Sequence, residues 1–295
     1  MSTTPGADLV RRIPPTWLVV GGIISVQVGA AVAKDLFTLV PPTAMTWLRL
    51  TFAAIILLLV ARPRLRGRSR RDWLVMAWYG LMLLGMNWAI YQSFARIPLG
   101  VAVTIEFSGP LLLAVIGSRR LLDVVWVVLA GAGVALLGLG PVAVDWIGIG
   151  FALLAGACWA GYIVAGARLG RQWSGVSGLA MGSLLGAVLL APAGVIDGGA
   201  ALLNPTVLGL ALIVALVSSV IPYSLELVAL RRIPPRVFGI LMSLEPGAAA
   251  LAGALILREL LAPLQWLAVA LVVGASIGAS RGARRARARA EEVGG

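Results

Sequence analysis

Apolar runs of bilayer length follow one another along almost the whole chain, and no other feature limits its fold so tightly. A helix needs about 20 predominantly apolar residues to cross the hydrocarbon core. Ten stretches come close: 17–36, 43–61, 73–95, 98–117, 124–141, 146–167, 175–195, 206–230, 237–257 and 262–280. Their connections are short and leave no room for a separate soluble domain. Hydrophobic residues make up 60% of the chain and charged residues 12%, whereas soluble domains run at roughly 45–50% and about 25%. The expected fold is an all-α integral membrane protein with ten transmembrane helices. The first run is span-length and lacks a small-residue cleavage site, so no cleaved signal peptide is expected.

A net charge of +12 raises nucleic acid as a partner, but the distribution of the charge points elsewhere. With ten alternating spans, one side collects Arg11 and Arg12, six arginines of the 62–72 loop, Arg119, Arg120, Arg168, Arg171, Arg231, Arg232, Arg236 and five tail arginines. The other side has Lys34, Arg96 and Arg258. Such an imbalance sets cytoplasmic N- and C-termini. The basic segments therefore read as topology signals and contacts with anionic membrane lipids, and no nucleic-acid partner is expected.

Several chemistries are absent. Without histidine there is no imidazole base or His metal site. Cys158 is the single cysteine, and no GxxxxGK[ST] motif surrounds the single lysine, Lys34. An enzyme is not expected, nor are a metal or a cofactor. Coupling by this chain alone requires an ion gradient, with protons the natural choice.

The segment "RIPLGVAVTIEFSGP" (96–110) returns in altered form as "RIPPRVFGILMSLEP" (232–246), at a constant offset of 136. That offset pairs the fourth span with the ninth, so each half holds five spans. Five is odd, and the second half must enter the membrane from the opposite side. Two inverted five-helix repeats, 16–141 and 146–280, are expected, followed by a basic cytoplasmic tail at 281–295. This architecture is known in secondary transporters, with the substrate site between the repeats near mid-bilayer.

Polar residues within the spans nominate that site, because a charge at a helix centre costs about 2.5–3.5 kcal/mol on insertion scales. Glu245 and Glu106 are each the ninth residue of their span, near Pro246 and Pro110, where proline frees a backbone carbonyl. As the most central acid, Glu245 is the expected proton carrier, with Glu106 the second candidate. Ser219, Tyr223 and Glu226 share one helical face, although Glu226 also lies within snorkelling reach of Arg231 and Arg232. Asn87, Trp88 and Tyr91 cluster on the third span, and Trp159 with Tyr162 on the sixth. Arg49 can clamp a substrate carboxylate or neutralise an acid such as Glu106, and the internal ion pair is favoured. Gln27 is a further cavity candidate, and Lys34 beside Asp35 reads as an outer-interface anchor. Gly178, Gly182 and Gly186 suit close helix packing, within the chain or between copies in a homo-oligomer.

The residues also resemble a known group. "VQVGAAVAKDLF", "GMNWAIYQSFARIPLGVAVTIEFSGPL", "SRRLLDVVWVVLA", "GACWAGYIVAG" and "IPYSLELVALRRIPPRVFGILMSLEPGAAALAG" resemble the drug/metabolite transporter superfamily in its EamA-repeat branch. Within it they are most similar to the bacterial threonine/homoserine exporters. The resemblance covers about residues 16–280. It implies a multi-pass efflux carrier of the bacterial cytoplasmic (inner) membrane that moves threonine, homoserine and related small amino acids by exchange with protons. The alternative is a carrier of the same fold for another metabolite or a cationic drug. One departure stands out: where such exporters commonly have Gly-Glu after the ninth span, this chain has Arg258 before Glu259, which puts the geometry of that corner in question.

Overall fold

The computed structural model describes residues 13–116, 121–137, 145–230, 232–233 and 235–293. Of the expected topology signals, Arg11, Arg12, Arg119, Arg120 and Arg231 lie outside these residues, as does the end of the fifth span.

All regular structure among the described residues is helical. The helices are α1 (Pro15–Asp35), α2 (Pro42–Ala61), α3 (Arg70–Phe94), α4 (Leu99–Glu106), α5 (Ser108–Val115), α6 (Leu121–Leu137), α7 (Trp146–Gln172), α8 (Ser177–Gly198), α9 (Pro205–Ala215), α10 (Ile221–Leu230), α11 (Pro235–Met242), α12 (Glu245–Ile256) and α13 (Pro263–Val293). A π-helical segment, Leu216–Val220, joins α9 to α10. Seven helical stretches are long and apolar enough to cross a membrane, and three shorter apolar ones, Leu99–Leu113, Val124–Leu136 and Pro263–Ala279, fall within the other three expected spans.

Helix starts follow local chemistry. Proline opens α1, α2 and α9, where its missing N–H has no helical partner to lose. Ser69 and Asp72 form a reciprocal capping box on α3, and Asp145 accepts from the N–H groups of Ile147 and Gly148 at the start of α7. The expected tail is not a separate appendage, because α13 continues as one helix to Val293. Its 31 residues span about 46 Å at ~1.5 Å per residue, more than a bilayer core.

Both RIP segments lead into helices that break at equivalent places. α4 ends at Glu106 and restarts at Ser108, while α11 ends at Met242 and α12 begins at Glu245. The principal packing partnerships join early helices to late ones: α3 with α7 and α8, α2 with α8, α6 with α13, α1 with α10 and α4 with α12. Glycines allow the closest approaches. A methyl group at Gly109 would collide with the Gly156 carbonyl, and one at Gly182 would meet the Tyr79 ring and the Gly80 backbone. The glycine series of α8 therefore packs within the chain.

Charge sorts the two ends. Arg68 donates to the Gln172 carbonyl and lies over the Trp173 ring, Arg168 lies over Trp78, and Arg232 donates to the Ile13 carbonyl. These contacts gather the arginine-rich segments at one end. At the other end Lys34 pairs with Glu259, and Arg96 with Asp145.

Candidate functional site

A cavity opens at the arginine-rich end and narrows toward the middle of the helices. Its outer compartment, about 530 Å³, is lined by apolar and aromatic residues including Phe107, Trp159, Tyr162, Trp173, Tyr223 and Phe238. An inner compartment of about 130 Å³ holds the charged groups. Trp159, Tyr162, Tyr223, Glu226 and Met242 line both.

Ten of the eleven residues expected at the site border the inner compartment: Gln27, Arg49, Asn87, Tyr91, Glu106, Trp159, Tyr162, Tyr223, Glu226 and Glu245. Trp88 does not. Its indole N–H points to the Thr43 hydroxyl at 3.4 Å and its ring packs edge-on against Phe151. Trp88 neighbours Asn87 in sequence, but successive side chains lie about 100° apart on a helix, enough to turn one into the cavity and the next away.

Arg49 is buried, and its guanidinium is held by three neutral acceptors. Nε donates to the Ser219 hydroxyl at 3.0 Å, Nη1 to the Tyr91 hydroxyl at 3.1 Å and Nη2 to the Ser218 carbonyl at 2.9 Å. The favoured ion pair with Glu106 is not formed, since among the described residues no carboxylate lies within salt-bridge distance of Arg49. The reason lies in the backbone. Pro222 has no N–H to offer Ser218 four residues earlier, so that carbonyl is free to accept from the arginine. The neighbouring Val217 carbonyl turns to the Ser25 hydroxyl at 2.6 Å. Loss of the regular bonding is relieved by the π-segment, a distortion that recurs at functional sites.

The acids sit at the breaks. Glu106 closes α4 and Glu245 opens α12, both buried, while Glu226 is half-buried on α10. None of the three carboxylates accepts a hydrogen bond or forms an ion pair among the described residues. Glu226 borders both compartments of the cavity. Pro110 frees the Glu106 carbonyl as Pro222 frees that of Ser218, and this carbonyl presses on Gly156, where a side chain would clash. Glu106 is therefore fixed by its backbone and left open at its side chain.

Neutral polar groups complete the lining. The Asn87 amide donates to the Leu83 carbonyl at 2.7 Å, and Gln27 Oε1 is buried with no hydrogen-bond partner among the described residues. Tyr79 and Tyr162 join their hydroxyls at 2.9 Å beside the outer compartment. Phe107 meets Trp159 edge-on at 5.4 Å. Ser218 and Phe107 were not nominated from sequence, although Pro222 announces the backbone position of Ser218. Lys34, read as an interface anchor, instead bonds across the structure to Glu259 and the Ile97 carbonyl.

A helical membrane protein with a charge-lined cavity entered from one end has the build of a solute transporter. The chain belongs to the EamA-like transporter family, whose pattern matches residues 146–281. It is 43% identical over 278 residues to the protein named threonine/homoserine exporter RhtA of Escherichia coli (strain K12), covering 92% of this chain and 93% of that protein. The same figures relate it to the protein of that name in Salmonella typhimurium (strain LT2). A solved crystal structure superposes with a TM-score of 0.60 at 22% identity, covering 92% of this chain and 98% of the other, and so shares the fold. The protein is a transporter, not an enzyme.

Proposed function

We propose that the protein exports small amino acids of the threonine and homoserine type across the bacterial cytoplasmic membrane in exchange for protons. One observation carries this reading. Among the described residues, a guanidinium with no carboxylate partner and three carboxylates with no donor border the same small compartment. Charges of both signs, held apart and unneutralised, suit a zwitterion that satisfies both. Arg49 takes the substrate carboxylate through its remaining N–H groups, and Glu245 receives the ammonium. Glu106 and Glu226 flank that position, Gln27, Asn87, Tyr91 and Tyr223 supply neutral hydrogen bonds, and Trp159 and Tyr162 stand toward the entrance. The cargo is inferred from the names of the relatives.

Coupling follows from competition for one carboxylate. A proton arriving from outside neutralises Glu245, and amino-acid binding from the cytoplasm favours its ionised form, so the two ligands compete for it. Glu106 is the second candidate for the proton.

The architecture is read as ten spans in two inverted repeats, 16–141 and 146–280. The packing partnerships support this. Exchanging the halves turns α1–α10 into α7–α3 and α3–α8 into the α9–α2 contact, and it returns α2–α8 and α6–α13 to themselves; α4–α12 is the exception, because α4 exchanges with α11 and α12 with α5. The arginine-rich end is then cytoplasmic, facing anionic lipid, and the cavity opens inward with both termini on that side.

The test is uptake of labelled threonine and homoserine into inverted membrane vesicles, with and without an imposed pH gradient. Gradient-dependent accumulation is expected; no transport of either amino acid ends the cargo reading. An organic cation is the competing cargo, favoured by three acids against one arginine. Arg49→Gln separates the two, because a cation retains its transport and a zwitterion loses it.

A further inference from the structure

We infer that Lys34 and Glu259 form a gate over the closed end of the cavity, and that this pair must part for cargo to leave. The inference rests on the molecule being a carrier that works through this charged cavity, not on which cargo it carries.

The gate's position follows from helix geometry. Near the cavity mouth Leu18, Val19 and Ile23 of α1 pack with Ala229. Val26, Gln27 and Ala30 then line the inner compartment. Lys34 is one turn beyond Ala30 on the same face. On α4, Val103 lines the compartment, and Leu99 is one turn beyond it toward the same end. The pair joins these two points. Lys34 Nζ contacts Glu259 Oε1 at 2.5 Å and donates to the Ile97 carbonyl at 2.7 Å, while Glu259 Oε2 accepts from the Leu99 N–H at 2.7 Å. Glu259 follows α12 and leans on Gly253, where a side chain would crowd its carboxylate. Three elements bordering the cavity are thus tied together one turn past its last lining residues.

The tie is suited to opening. Its side chains keep relative exposures of 17% and 20%, so water reaches both charges, and ion pairs in contact with water hold only weakly. Arg258, in a left-handed conformation at φ 58°, supports the corner that presents Glu259.

Lys34 is the chain's only lysine, which permits a test on the unsubstituted protein. A water-soluble carbodiimide applied from the Lys34 face joins Nζ to the Glu259 carboxyl carbon as an amide, and the reagent takes up the elements of water and leaves as a urea. Peptide mass spectrometry quantifies the link. Transport should fall in proportion to the linked fraction, whereas Lys34→Arg, which cannot form the amide, should be spared. A second arm needs no cargo. In a Cys158→Ala background, Ala30→Cys is labelled by an impermeant thiol reagent from the Lys34 face. Adding Glu259→Gln should speed that labelling at least several-fold. Transport at the unmodified rate by the linked protein overturns the gate. Equal labelling with and without Glu259→Gln, in normally inserted protein, does so too. If Glu259→Gln fails to insert, the carbodiimide arm decides alone. Loss of amino-acid transport in every sample would refute the cargo proposal and leave the labelling result standing.

Discussion

Arg49 shows why charged residues in an apolar chain are easy to find and hard to assign. Its presence within a span marks it as functional, but sequence does not say whether a buried guanidinium meets a carboxylate or a set of neutral acceptors. Three neutral bonds orient it here while leaving its charge uncompensated. Lysine keeps the charge but cannot reach three acceptors in a planar fork. Arg49→Lys should therefore weaken apparent affinity for a carboxylate-bearing cargo by roughly 10–100-fold, the equivalent of a lost charge-assisted bond at about 1.5–3 kcal/mol. Concentration-dependent uptake measures this, and unchanged affinity would remove Arg49 from the substrate site. Glu245→Gln keeps the shape of the acid and removes its charge. In proteoliposomes this variant should retain some substrate-for-substrate exchange while losing its response to a pH gradient. A response like that of the unsubstituted protein would pass the proton role to Glu106 or Glu226.

Interrupted helices link those side chains to the fold. Ten apolar runs are legible in the sequence because length and composition suffice to mark a span. The interruptions are legible only in part. Pro110 and Pro246 flag the two breaks beside Glu106 and Glu245, but that Pro222 hands the Ser218 carbonyl to Arg49 depends on which helix lies opposite. Trp88 fails for a related reason. An apolar membrane helix carries little amphipathic signal to say which face meets lipid, protein or cavity. The structural account predicts that Pro222→Ala restores a regular helical bond to Ser218 and withdraws its carbonyl from Arg49. The variant should insert normally and lose most of its export, with thermal stability unchanged or higher; undiminished export would sever the link between π-segment and site. Arg258 is the opposite case: its departure from Gly-Glu flags the corner in the sequence, and the structure supplies the backbone. Its φ of 58° is costly for any residue with a Cβ. Arg258→Gly should raise stability by roughly 0.5–1 kcal/mol, read as a melting temperature higher by about 2 °C in detergent.

For the molecule as a whole, the arginine imbalance decides which way the cavity mouth faces. The 62–72 loop is pinned beside the entrance by Arg68, which bonds Gln172 and covers Trp173, a lining residue of the outer compartment. If basic segments stay in the cytoplasm, the cavity of this conformation faces inward and the Lys34–Glu259 end faces out. Ser69 caps α3 within the basic segment. Asp197 lies exposed near the end of α8, where the adjacent Gly198 packs on Ala44 at the start of α2, the Lys34 end. Single cysteines at these two positions, in a Cys158→Ala background, should therefore react from opposite sides. In intact cells an impermeant thiol reagent should modify Asp197→Cys at once, and Ser69→Cys only after permeabilisation. Modification of Ser69→Cys alone would invert the orientation and turn the proposed exporter's open cavity to the outside. Modification of both in intact cells would break the alternation of ten spans, and with it the argument that five-helix halves must lie inverted.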